Sequence, residues 1–101
     1  MNQMMRQAQA LQRKMAKAQE ELAAEEVTGA AGGGTVTATA SGNGDLKRVE
    51  IAPDVVDPDD VEMLQDLVTA AVNEAMRAAK DLEEERMGDL AGGLGLPPGM
   101  L

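Results

Sequence analysis

Apolar positions in the first 26 residues recur at alternating steps of four and three: Met4, Ala8, Leu11, Met15, Ala18 and Leu22. At about 100° per residue they fall within roughly 80° of one another on a helical wheel. No Gly or Pro interrupts the run. The pattern predicts an amphipathic helix over 1–26 whose stripe faces a core or a coiled-coil seam. The period then changes to two. "EVTGA" can form a short first strand, and "AGGG" at 31–34 can turn the chain. "TVTATA" at 35–40 alternates strictly, with Val36, Ala38 and Ala40 on one face and Thr35, Thr37 and Thr39 on the other. The Asn-Gly step in "GNGD" suits a tight hairpin, and "LKRVEI" supplies a third strand with Val49 and Ile51 on one face.

The helical period returns after "DVVDPDD". Asp57 can cap a second helix, Pro58 suits its first position, and Asp59, Asp60 and Glu62 place negative charge in its first turn. Apolar residues from Val61 to Leu82 then keep the period, and Met87 followed by Gly88 predicts the stop. The expected fold is α+β, ordered α-β-β-β-α: a small three-stranded antiparallel sheet with two long flanking helices. Residues 1–87 make a single domain in this reading, and 88–101 make a Gly/Pro-rich flexible tail.

Composition changes what such a fold must do. The 101 residues include no Phe, Trp or Tyr, so the core is limited to Leu, Val, Ile, Met and Ala. Aromatic side chains normally supply the largest buried areas. A chain of this size without them is expected to self-associate. There is no Cys and no His, which removes thiolate metal sites, disulfides and the usual general base. No apolar run is long enough to span a membrane and no signal-peptide core opens the chain, so a soluble cytoplasmic protein is expected. "GAAGGG" lacks the Gly-Lys-Ser/Thr ending of a phosphate-binding loop. The acidic cluster Asp54, Asp57, Asp59, Asp60 and Glu62 fits no calcium loop and reads as helix capping. The expectation is a protein without catalytic activity, cofactor, metal or small-molecule substrate.

Charge is distributed unevenly. The chain carries formal charge −9, yet residues 1–19 sum to +4 and the remaining 82 sum to −13. On the first helix Arg6, Arg13 and Lys17 fall within about 40° of one another, opposite the apolar stripe, and Lys14 sits to one flank. This gives a cationic line about 16 Å long. Such a line reads either as a solvated face or as a contact for nucleic-acid phosphates. The lack of aromatics rules out base stacking on aromatic platforms, so a dedicated single-strand binder is not expected. Weak sequence preference follows, carried by phosphates and DNA shape. A second reading is an adaptor or chaperone-like clamp that holds a partner protein in a Met-rich apolar groove.

The blocks "MRQAQALQRKMAKAQEEL", "EVTGAAGGGTVTATASGNGDLKRVEI", "PDVVDPDDVEMLQDLVTAAVNEAMR" and "LPPGM", in this order and spacing, resemble the YbaB/EbfC family of bacterial nucleoid-associated proteins. The resemblance spans nearly the whole chain. It implies tweezer-like homodimers of α-β-β-β-α subunits, DNA binding with little sequence preference, location at the nucleoid and a role in nucleoid organisation and gene regulation. It implies no cofactor. The DNA-binding residues it implies are Arg6, Arg13, Lys14 and Lys17. The second helix ends in "MRAAKDLEEERM", where Arg77, Lys80 and Arg86 stand among carboxylates spaced for i,i+4 pairing within the helix.

Overall fold

The computed structural model describes residues 2–93. Helix α1 spans Asn2–Ala24 and is followed by strands β1 (Glu26–Ala31), β2 (Val36–Ser41) and β3 (Leu46–Ile51). Helix α2 spans Val61–Gly93, and single 3-10 turns occupy Gly32–Gly34 and Pro53–Val55. The strands form an antiparallel meander in the order β1-β2-β3. The α+β architecture is therefore the one the sequence pattern describes.

The glycine run turns the chain as expected: Gly32, Gly33 and Gly34 take φ values of 62°, 69° and 93°, a region that glycine enters without penalty. At the second hairpin the Ser41 N–H donates to Asp45 O at 2.8 Å, and the Gly44 N–H donates to Ser41 O at 2.9 Å. The β2–β3 register slips by one between Thr39 and Ala40, which leaves Lys47 without a ladder partner.

One face of the sheet packs on α2. Val36, Ala38 and Ala40 of β2 are fully buried against Ala71 and Ala75 of α2, with Leu64, Leu67, Val68 and Val72 around them. Small residues here let helix and sheet approach closely. Gly29 of β1 shows how closely: a Cβ there would lie 2.3 Å from Ala75 N and 2.5 Å from Ala71 O. No side chain fits at this position, although Val27 and Ala31 on either side of it pack into the core.

The other face departs from simple alternation. Thr39 retains only 2% of its exposure although it belongs to the outward set. Arg48 pairs with Thr39 in the β2–β3 register, and Glu26 lies one strand further, opposite Ser41. The Arg48 guanidinium reaches Glu26 Oε1 at 3.1 Å, so the bridge crosses β2 diagonally and covers the threonine.

Both ends of α2 differ from expectation. The cap is Asp60, whose Oδ1 accepts the Met63 N–H at 3.2 Å. Asp57 instead accepts the Asp59 N–H at 2.9 Å, and the Asp60 N–H closes onto Asp57 O. Asp57-Pro58-Asp59 thus forms a turn before the helix, which begins one turn later than Pro58 suggests. At the far end α2 continues past Gly88 to Gly93. Leu90 and the fully buried Ala91 extend its apolar face here, and that packing outweighs the low helix propensity of glycine. The remainder of the expected tail, 94–101, lies outside the described residues.

Helix α1 runs antiparallel to the second half of α2. Leu22 and Leu82 both close on Gly42, and Lys14, Lys17 and Ala18 share a groove with Asp89 and Leu90. Only Ala18 and Leu22 of α1 are buried. The predicted stripe is therefore a core contact only at its C-terminal end. Met4 and Met15 are exposed, at 73% and 38%. The molecule is accordingly long. Its radius of gyration is 18.7 Å, against about 13 Å for a compact chain of this size.

Candidate nucleic-acid interface

Helix α1 carries Arg6, Arg13, Lys14 and Lys17, and all four are exposed. The helix has no acidic residue in its first turn and the first carboxylate comes at Glu20. Burial of Ala18 and Leu22 fixes the rotation of the helix about its axis. Arg6 and Arg13 project from the side away from those anchors, while Lys17 lies about 100° round from Ala18 and, like Lys14, borders the groove between the helices. Among the described residues, none of the four cations has a carboxylate within 4.0 Å. Arg6, Arg13 and Lys17 thus stand exposed along one side of α1 with Lys14 on the flank, and Lys14 and Lys17 share the groove between the helices with Glu21 and Asp89. Lys14 and Lys17 also border a shallow depression of about 280 Å³ between the two helices.

Of the five cations elsewhere, Lys47, Arg77 and Lys80 likewise have no carboxylate within 4.0 Å among the described residues, so the i,i+4 pairs expected of Arg77 and Lys80 do not form, whereas the other two are paired. Arg48 is tied to Glu26 and Glu50 on the sheet. Hydrogen bonding from Arg48 holds the Glu26 carboxyl below the usual carboxylate range, with their charge attraction adding to it. Arg86 does not pair along its own helix, where the residues four positions away are Leu82 and Leu90. Its guanidinium crosses to α1, donating to Glu21 Oε2 at 3.3 Å and to Glu25 Oε1. Its pKa is raised, first by the hydrogen bond to Glu25. This clasp lies at the base of α1, just beyond the cationic line, and separates the two regions of charge.

Helix periodicity alone does not place Arg86 against α1. Glu21 lies in the last turn of α1 and Glu25 just beyond its end, with the Glu25 N–H donating to Glu21 O at 3.1 Å, so the two carboxylates stand four residues apart at the base of the helix. That spacing was the available signal for a cation from another element.

A small α+β protein emerges: a meander backed by one long helix, with a second helix projecting from it and bearing free cations. The chain belongs to the YbaB/EbfC DNA-binding family, whose profile matches residues 1–94. It is 56% identical over 95 residues to a nucleoid-associated protein of Saccharopolyspora erythraea, covering 94% of this chain and 82% of that protein. It is also 55% identical over 92 residues to a nucleoid-associated protein of Chloroflexus aurantiacus, covering 91% of this chain and 92% of that one. The crystal structure of an uncharacterized protein from Helicobacter pylori shares the fold, with a TM-score of 0.75 at 20% identity over 84% of this chain and 89% of that one. Among the described residues no helix is long and apolar enough to cross a membrane.

Proposed function

We propose that this chain binds double-stranded DNA at the bacterial nucleoid, through phosphate contacts made by Arg6, Arg13, Lys14 and Lys17, with little sequence preference. One observation carries the reading: Arg6, Arg13 and Lys17 stand in line on a projecting helix with Lys14 on its flank, all four exposed and with no carboxylate within salt-bridge reach. An overall charge of −9 does not cancel them, because screening at physiological salt acts over about 8 Å. Phosphate contact reads backbone and shape rather than base identity. A role in organising the nucleoid and regulating genes follows from such sequence-tolerant binding.

The working unit in this proposal is a homodimer. Large apolar residues remain exposed on the single chain, both on α1 (Met4 and Met5) and around β3 (Leu46, Ile51 and Val56). A second copy would cover part of this surface and present the cationic line twice, which raises apparent affinity.

The test is a mobility-shift titration across salt. Binding to duplex should weaken steeply as salt rises. Replacing Arg13 and Lys17 together by Ala should reduce the log–log salt slope by about 0.9 per lost contact in each subunit. An unchanged slope rejects this helix as the contact. The exposed methionines favour the second reading, a clamp for a partner protein. Salt-insensitive retention of a protein partner, with no duplex bound at about 150 mM salt, would select it instead.

A further inference from the structure

Helix α1 passes into β1 through a single residue. Glu25 lies between Ala24, the last residue of the helix, and Glu26, the first of the strand. Its main chain is held on both sides. The N–H donates to Glu21 O at 3.1 Å and to Leu22 O at 3.2 Å, and the carbonyl accepts the Gly42 N–H at 3.0 Å. Its side chain reaches a third element, because Oε1 accepts from the Arg86 guanidinium of α2. Glu25 Oε2 is buried and has no hydrogen-bond partner among the described residues. This carboxylate therefore depends on Arg86, and the same guanidinium also holds Glu21 Oε2 at 3.3 Å.

The surroundings sharpen that dependence. The C-terminal end of a helix favours cations, yet the last turn of α1 contains none. Glu20, Glu21, Glu25 and Glu26 collect at and just beyond it, and Glu83, Glu84 and Glu85 precede Arg86 on α2. Arg86 supplies from a neighbouring helix the positive charge that the end of α1 lacks. Without it, Glu21 and Glu25 would repel each other at a spacing of four residues. A carboxylate with one enclosed oxygen would also be left unpaired. Its relief is to turn towards water, which takes the α1–β1 junction with it. Burial restrains the helix at two residues only, Ala18 and Leu22.

We infer that Arg86, acting through Glu25 and Glu21, is a positioning residue: it fixes the direction in which α1 leaves the sheet, and with it the place where Arg6, Arg13, Lys14 and Lys17 stand. The effect on DNA rests on the duplex-binding reading; the direction of α1 does not. A neighbouring bridge supplies the control. Glu26 is the next residue along, and its partner Arg48 is also an arginine from a distant segment. That pair ties β1 to β3 within a sheet already held by its backbone ladders. Loss of either arginine removes the same charge, but only loss of Arg86 should release the helix.

The chain has no cysteine, so spin labels at Gln3→Cys on α1 and Lys47→Cys on β3, both exposed positions, report the distance between helix and sheet. Pulsed electron resonance reads it, with unlabelled chain in excess so that the two labels of one molecule dominate. The distance distribution should be narrow in the otherwise unchanged chain and in Arg48→Met, and broad in Arg86→Met. Adding Glu21→Gln and Glu25→Gln to Arg86→Met removes the stranded charge and should narrow it again. An unchanged distribution in Arg86→Met, equal broadening in Arg48→Met, or no recovery in the triple variant overturns the inference. Duplex binding at about 150 mM salt should weaken about threefold or more in Arg86→Met and less than about 1.5-fold in Arg48→Met. The log–log salt slope should not change, because no phosphate contact is lost. A fall of about 0.9 per subunit would make Arg86 itself a DNA contact and overturn its positioning role. If the native chain retains no duplex at all, the DNA reading fails while the distance measurement still decides the inference, so the two failures are distinguishable.

Discussion

The sheet with its backing helix and the free part of α1 are built on opposite terms. In the first, fully buried alanines and Val36 meet across a gap so narrow that Gly29 can carry no Cβ. In the second, every side chain from Asn2 to Gln9 is exposed, and the only buried anchors are Ala18 and Leu22 further along. The first region spends its sequence on shape. The second spends it on charge, and a helix with so little tertiary support relies on its own propensity, supplied here by Ala, Gln, Met, Lys and Arg. Close packing and exposed cationic charge are thus assigned to different stretches of one small chain, and substitutions should separate them.

The largest expected effect is on the buried side. Gly29→Val sets two extra branches against the α2 backbone and should cost more than about 3 kcal/mol, beyond typical overpacking; denaturant unfolding followed by far-UV circular dichroism measures it. Leu22→Ala should cost about 2–5 kcal/mol, and because Leu22 anchors α1, it should also raise hydrogen exchange along that helix. Asp60→Ala removes the α2 cap and should cost about 1 kcal/mol, whereas Asp57→Ala should cost less, reversing the order expected from sequence. Replacing Arg13 and Lys17 by Ala should change stability by no more than about 0.5 kcal/mol while lowering the salt slope of DNA binding. If that pair proves strongly destabilising, the division between the regions fails.

The smallest effect concerns pH. Arg48 depresses the Glu26 pKa in the folded state. The stabilisation is therefore complete above the ordinary glutamate pKa and is lost as pH falls through the lowered folded value. Melting curves below neutral pH should show a slight acid-side loss that Arg48→Met reduces. Both side chains are about half exposed, at 51% and 47%, so solvent screening keeps the effect small.

Most of the fold was legible because local signals agreed. The period-2 run at Val36, Ala38 and Ala40, the glycine turns and the third strand all appear where the pattern puts them. The departures came from contacts between distant segments. Thr39 is buried by a bridge that only the three-strand register creates. Gly88 stays helical because Leu90 and Ala91 pack beyond it. Choosing between Asp57 and Asp60 as the cap required backbone geometry that "DPDD" alone leaves open. The candidate interface was readable for the opposite reason. An exposed helix face depends on nothing but its own wheel, so Arg6, Arg13 and Lys17 needed no tertiary information. What sequence could not give was the position of Arg86, whose partners are more than sixty residues away.

The way α1 is moored also makes it a lever. From Leu22 to Met4 the helix extends about 27 Å, and it is held at its base by Ala18, Leu22 and the Arg86 clasp. A rotation of only about 10° at that mooring would swing the free end by nearly 5 Å, roughly the rise of one helical turn. Small changes in packing beside Gly42 would therefore translate into large changes in the reach of the free end, without unfolding any part of the helix.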